Sequence, residues 1–310
     1  MWPHANMPPK RRFRGPLGHL KFKGINPKTA RLYRKEIARF FRHLESSAIL
    51  LPTDNAGLDA ILAEYINHLY QEGDSISHAG WLLSGLRRFL PSLKGHLPTS
   101  SQYYSNWVRD HLPTRAVPIP WGVLKALVAT AWKLEHYDIG LCLLLGFVFY
   151  LRTMEMITLK MEDIVVDSGR GQVILCLDNT KTSGPFSQSL VIRNPRLTRI
   201  ISHGYSKLHG QVQVWPYSVG LFRSCFTRLL HHFDLQEYNF SLYSLRRGGA
   251  TFSYAATRDL NRVVLQGRWK DIKTARLYLD DARASLVRLS FSPSHHHSLA
   301  LAQRYWSFFR

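Results

Sequence analysis

Phe240-Ser241-Leu242-Tyr243-Ser244-Leu245-Arg246-Arg247-Gly248-Gly249-Ala250-Thr251 opens a stretch that runs to Asp280 and decides how the rest of the chain is read. It continues through two helical segments to Gly267-Arg268-Trp269 and ends in Thr274-Ala275-Arg276-Leu277-Tyr278-Leu279. Tyr243 and Arg246 lie three apart at the start of a predicted helix, which puts both on one face. Gly248 and Gly249 weaken a helix interior, so their presence calls for close approach of the helix backbone to something bulky. Trp269 precedes Tyr278 by nine residues. Tyr278 falls in a short predicted helix whose Ile272, Ala275 and Leu279 are expected to face inward. By itself a helical tyrosine is an ordinary core residue; at the rim of a basic pocket it is a candidate nucleophile.

Charge narrows the partners. Lys and Arg number 41 against 21 Asp and Glu, a net +20 over 310 residues, with 45% hydrophobic and 12% aromatic residues. That is a folded protein that binds a polyanion, with length enough for two domains. A membrane surface is the competing polyanion. The longest apolar run, residues 140–151, ends in Arg152 and is too short for a bilayer, so it reads as a buried core helix and no membrane partner is expected. The opening residues contain no apolar signal segment, and Cys142, Cys176 and Cys225 stand singly, which argues for a reducing compartment rather than secretion. A nuclear location is expected in a eukaryotic host, cytoplasm or nucleoid otherwise.

Residues 1–23 hold six basic residues and no acidic one. They read equally as a flexible arm touching phosphates or directing nuclear import, and as a solvated tail. Residues 24–112 read as four helices. In the first, Tyr33, Ile37, Phe40 and Leu44 face a core, and Arg31, Lys35, Arg39 and Arg42 form a stripe assigned to phosphate contact, as are Arg87 and Arg88 in the third. Residues 113–120, proline-rich, form the expected linker. A second domain spans 121–293: an amphipathic helix over 121–134, the apolar helix over 139–150 delivering Arg152 and Glu155, and a hairpin of 172–177 with 189–192. The loop from Asn179 to Pro185 carries Lys181, which means nothing by itself. Residues 194–238 are helical and irregular, with no histidine pair at metal-ligand spacing. Ser292 and Pro293 are expected to break a helix, His295 to His297 to lie in a linker, and residues 294–310 to form an apolar tail that folds onto its own domain or docks in a neighbouring subunit.

The motifs together resemble the active site of the tyrosine recombinases, the phage-integrase superfamily, from about residue 24 to 291. Arg152-Thr-Met-Glu155 matches the first arginine motif, with Glu155 steadying the guanidinium. Tyr243 falls on the family's histidine position, Arg246 on its second arginine, Trp269 on its His/Trp position and Tyr278 on its nucleophile. Lys181 is the only lysine in the loop that carries the family's catalytic lysine. The run Tyr-Ser-Leu-Arg-Arg-Gly-Gly-Ala-Thr with Gly-Arg-Trp is similar to recombinases of eukaryotic mobile elements, the DIRS-like and crypton-like groups. The resemblance implies a mainly α fold with a small β-sheet, a four-helix, SAM-like core-binding domain followed by an α+β catalytic domain.

It implies also site-specific recombination of double-stranded DNA by a homotetramer on synapsed sites, through a 3′-phosphotyrosine, without metal, cofactor, ATP or small-molecule substrate. Arg152 and Arg246 would bind the scissile phosphate, Lys181 protonate the departing 5′-oxygen, and Trp269 pack or donate through its indole. Arg247 and Arg268 are assigned to DNA contact. Tyr243 is the departure: a neutral hydroxyl hydrogen-bonds but is no base at neutral pH. A catalytically silent DNA-binding derivative and a monomeric type IB topoisomerase share these residues, and an RNA-binding reading lacks the aromatic motifs it needs.

Overall fold

The computed structural model describes residues 24–111, 116–177 and 188–306. The basic arm and the loop containing Lys181 lie outside the described residues. The chain divides into two compact units between residues 114 and 115. It is mainly helical, with one small antiparallel sheet.

The first unit contains helices α1 (Pro27–Ser46), α2 (Asn55–Gln71), α3 (Ile76–Phe89) and α4 (Pro98–Asp110). Their starts follow from local chemistry. The Asn26 side chain accepts from the Lys28 N–H ahead of Pro27, and the Asp54 carboxylate accepts from the Gly57 N–H at 2.8 Å. Phe40 and Leu44 of α1, Leu62, Tyr65, Ile66 and Leu69 of α2, Leu82, Leu83 and Leu86 of α3 and Trp107 of α4 form one core. Buried Asp59 of α2 reaches across to cap α4, accepting from the Thr99 and Ser100 N–H groups at 2.8 and 2.9 Å and from the Ser100 hydroxyl at 2.6 Å. Burial alone would raise its carboxyl; these donors outweigh that and hold it below the usual range.

The second unit is built on α5 (Trp121–Lys133) and the apolar α6 (Tyr137–Val148), whose residues 139–147 are all buried. After the short α7 (Thr153–Ile157) come strands β1 (Ile164–Asp167), β2 (Gln172–Leu177) and β3 (Gln188–Arg193). They pair in the order β1-β2-β3, with Ile164 opposite Leu175 and Val173 opposite Ile192. The expected hairpin thus has a third strand, which a run of four residues is too short to announce. Helices α8 (Pro195–Ser206), α9 (Val219–His231), α10 (Leu242–Thr257), α11 (Leu260–Gly267), α12 (Ile272–Arg276), α13 (Asp281–Leu289) and α14 (Pro293–Trp306) complete the unit.

Two expected boundaries shift. Val117 and Ile119, placed in the linker, are buried in the second core, and the Ile119 N–H donates to the Ser244 carbonyl at 3.2 Å. The tail belongs to the unit as well. Leu299, Ala302 and Trp306 of α14 are buried in its core, where the Trp306 ring stacks on Trp132 and meets Trp121 edge-on. Ser292 and Pro293 stand at the expected break after α13 and also start the next helix: the Ser292 hydroxyl accepts from the His295 N–H and the His295 ring accepts from the Ser292 N–H. His295 to His297 are therefore helical, and His295 is buried, its other ring nitrogen 3.1 Å from the Asp234 carbonyl.

Candidate active site

Helix α6 ends with Tyr150 in the left-handed region, φ +48°, and the Leu151 N–H returns to the Gly146 carbonyl at 2.9 Å. A bulky residue in that conformation costs about 1–2 kcal/mol, so the surroundings must impose it. The turn points the chain into Arg152, which caps α7. The Glu155 carboxylate accepts from the Arg152 backbone N–H at 2.8 Å and from its Nη1 at 2.6 Å.

Helix α10 brings in the second set of groups. Ser241 and Ser244 cap it reciprocally, so Tyr243 stands in its first turn and Arg246 one turn deeper. Tyr243 is 38% exposed and Arg246 only 1%. Arg246 Nη1 donates to the Tyr150 carbonyl and Nη2 to the Gly267 carbonyl at 2.6 Å, which ties the end of α6 to the end of α11. Gly248 and Gly249 make this approach possible. A Cβ on Gly248 would run into the Ile119 carbonyl and the Phe147 ring, and one on Gly249 into the Phe147 carbonyl and, at 2.7 Å, the Tyr150 ring.

Trp269 follows Arg268, itself left-handed at φ +55°. The indole stacks on Tyr150 at 6.3 Å and packs on Tyr278 at 4.6 Å, with the Arg246 guanidinium 4.7 Å from the indole centroid and 5.4 Å from the Tyr278 ring. Tyr278 lies just beyond α12, its N–H on the Ala275 carbonyl. Two side chains one turn apart on α10 hold its backbone. Arg247 Nη1 donates to the Leu277 carbonyl at 2.9 Å, and the Thr251 hydroxyl donates to the Tyr278 carbonyl and accepts from the Asp280 N–H, both at 3.3 Å. The Tyr243 hydroxyl donates to the Tyr278 hydroxyl at 2.5 Å.

No family model and no curated protein matches the sequence. Solved structures do match the fold. XerH site-specific recombinase bound to its palindromic difH substrate superposes with a TM-score of 0.55 at 13% identity, over 84% of this chain and 78% of that one. A lambda integrase dimer bound to a COC′ core site gives 0.57 at 17% identity, over 84% and 92%. The Tn1549 transposon integrase in complex with transposon right end DNA gives 0.56 at 14%, over 88% and 97%. The chain has the tyrosine recombinase fold.

Within this recombinase fold the two tyrosine hydroxyls differ in acidity. Burial favours a neutral Tyr278, but the hydrogen bond from Tyr243, the nearby Trp269 indole N–H and the charges of Arg246 and Arg152 outweigh it and lower its pKa. The indole nitrogen helps as a nearby dipole, since it makes no closed hydrogen bond. Tyr243 is pushed up to about 12, by burial first and then by the partner it donates to. Tyr278 is therefore the hydroxyl that ionises, and Tyr243 keeps its proton to stabilise the phenolate. Arg246 is lowered to about 10 by burial and the charges of Arg152 and Arg268, and stays a cation at neutral pH.

Arg152, Tyr243, Arg246, Trp269 and Tyr278 thus come together from four separate segments. Lys181 lies outside the described residues. Two assignments change. Arg247 is buried on the Leu277 carbonyl, with Asp280 at 3.7 Å, and the Arg268 side chain is held by Glu155 at 2.7 Å and only 5% exposed, so neither guanidinium stands free on the surface. In the first unit, Arg31, Lys35, Arg42 and Arg88 are exposed. Arg39 departs from the stripe, paired with Asp74 at 2.6 Å, and Arg87 donates to the Ser101 hydroxyl on α4. Ile272, expected inside, is exposed, whereas Ala275 is buried. Thr251 and Tyr150 escaped sequence reasoning, because a threonine inside a helix and an aromatic at a helix end carry no local mark of what they hold.

Proposed function

We propose that this protein breaks and rejoins double-stranded DNA through a covalent bond to Tyr278. One observation carries the reading: the Tyr278 hydroxyl receives a 2.5 Å hydrogen bond from Tyr243 beside the guanidinium of Arg246, in a site that also contains Arg152 and Trp269. A lowered phenol next to two cations is a nucleophile matched to a phosphodiester. The phenolate oxygen attacks phosphorus, the bond from phosphorus to the 5′-oxygen breaks, and a 3′-phosphotyrosine remains. Arg152 and Arg246 neutralise the charge that builds on the non-bridging oxygens, and Lys181, from the β2–β3 loop, supplies the proton to the departing 5′-oxygen. The phosphotyrosine keeps the energy of the broken bond, so another 5′-hydroxyl can reverse the step without ATP.

The DNA-bound XerH, lambda and Tn1549 proteins of the same fold support DNA as the substrate. Strand exchange needs two sites brought together, and we assign the protein to a tetramer that recombines the ends of a mobile element. The test uses nicked suicide duplexes tiled across the DNA flanking the gene. The wild-type chain is expected to become covalently attached to one of them, and Tyr278→Phe to bind that duplex without attachment. Salt-sensitive binding with no adduct on any duplex would leave a DNA-binding protein only.

A further inference from the structure

The site holds more positive charge, and more idle donors, than two phosphate-binding arginines account for. Glu155 bridges Arg152 and Arg268, taking Nη1 of the first at 2.6 Å and Nη2 of the second at 2.7 Å. The charges of both arginines also bear on Arg246. Two guanidinium groups share this carboxylate and a third lies within their field, so the three arginines and Glu155 together carry an excess of two positive charges. The Arg268 side chain is 5% exposed, yet its Nε and Nη1 have no partner among the described residues. Nε of Arg246 and Nε1 of Trp269 are in the same condition. A buried donor left unmade costs about 1–3 kcal/mol, and more on a charged group. If Arg268 served only to anchor Glu155, its Nη2 would suffice and these other nitrogens would remain a cost without return.

We propose that Arg268 is a third phosphate-binding guanidinium. Glu155 fixes it through Nη2, and its remaining N–H groups receive a non-bridging oxygen of the phosphate. The assignment rests on the reading of this site as a phosphoryl-transfer centre. Phenolate adding to a singly charged phosphodiester creates a pentavalent species with two negative charges, which matches the excess of the cluster. In the resting structure the Tyr278 ring lies over Arg246 and Trp269. A phosphate that takes the place of that ring meets Arg246 and Trp269 directly, and Arg268 is near enough for its charge to bear on Arg246.

Inorganic phosphate titrated against the melting of the full chain tests this without any reaction. Wild type is expected to gain thermal stability with phosphate. Arg268→Gln should need at least about tenfold more phosphate for the same gain, and Arg268→Lys, which keeps the charge with fewer donors, an intermediate amount. Arg170→Gln, exposed on the β1–β2 turn, should match wild type. No response in wild type, or a full response in a folded Arg268→Gln, overturns the assignment; where Arg268→Gln fails to fold, a wild-type response of Arg268→Lys does the same. A methylphosphonate at the cleaved position supplies the second arm. Lacking the phosphate charge, it should shrink the rate deficit of Arg268→Gln at least about tenfold relative to the phosphodiester, and an equal deficit on both substrates marks a merely structural residue. A normal phosphate response without any DNA adduct sinks the strand-transfer reading and leaves the third guanidinium standing.

Discussion

At the scale of residues, the proposed chemistry depends on the pair Tyr243–Tyr278. A histidine in place of Tyr243 could take a proton; a tyrosine raised to about 12 can only give a hydrogen bond. In the proposed reaction Tyr278 would thus be made reactive by its own lowered pKa rather than by a neighbouring base. A hydrogen bond to a charged group contributes about 1.5–3 kcal/mol, so Tyr243→Phe is expected to slow adduct formation about tenfold or more at neutral pH. The sign for pH follows. Tyr243 helps hold Tyr278 below its ordinary value of about 10, so removing it raises that value and moves the rising limb of the pH–rate profile to higher pH. Single-turnover adduct formation measured from pH 6 to 10 checks this, and a profile of unchanged shape and position would rule out the hydrogen bond as the source of reactivity.

At the scale of elements, α10 is the part on which the site depends. It places Tyr243 and Arg246 beside Tyr278, while Arg247 and Thr251 hold the backbone that carries Tyr278. The helix can do both because Gly248 and Gly249 let it lie against Ile119, the end of α6 and Tyr150. Gly249→Ala inserts a methyl group against the Phe147 carbonyl, which is backbone and cannot rotate away. Destabilisation of about 3 kcal/mol is expected, from the overpacking range of about 1–3 kcal/mol together with displaced backbone. Urea unfolding measures it. A loss below about 0.5 kcal/mol would mean that α10 has room the packing does not suggest.

At the scale of the whole molecule, a net charge of +20 means that the proposed DNA binding should depend steeply on salt. Each phosphate neutralised contributes about 0.9 to the slope of log affinity against log salt concentration. Replacing the exposed Arg31, Lys35 and Arg42 of α1 together with glutamine is expected to lower that slope by about 2–3, read by anisotropy on a long random duplex. Arg39→Gln should act differently, because its guanidinium is occupied by Asp74: it should lower the melting temperature and leave the slope nearly unchanged. Equal effects of both replacements on the slope would show that the stripe is not divided in this way.

The order of helices, the apolar α6 with Arg152 just beyond it and the spacing from Tyr243 to Tyr278 were legible in the sequence, because periodicity and turn chemistry are local properties. That Arg247 and Arg268 lie inside, held by partners of their own, was not legible for the same reason. Nothing in the neighbouring residues says that a carbonyl at Leu277 or a carboxylate at Glu155 will arrive to cover them. Ser292 and Pro293 mark a break in the sequence, but that residues 294–306 continue as a helix packed on their own domain depends on the distant contact of Trp306 with Trp132. The sequence alone determined which groups are available and in what order. The tertiary structure decided which of them meet, because a guanidinium's role depends on the anion or carbonyl within reach, and most of those partners here lie dozens of residues away along the chain.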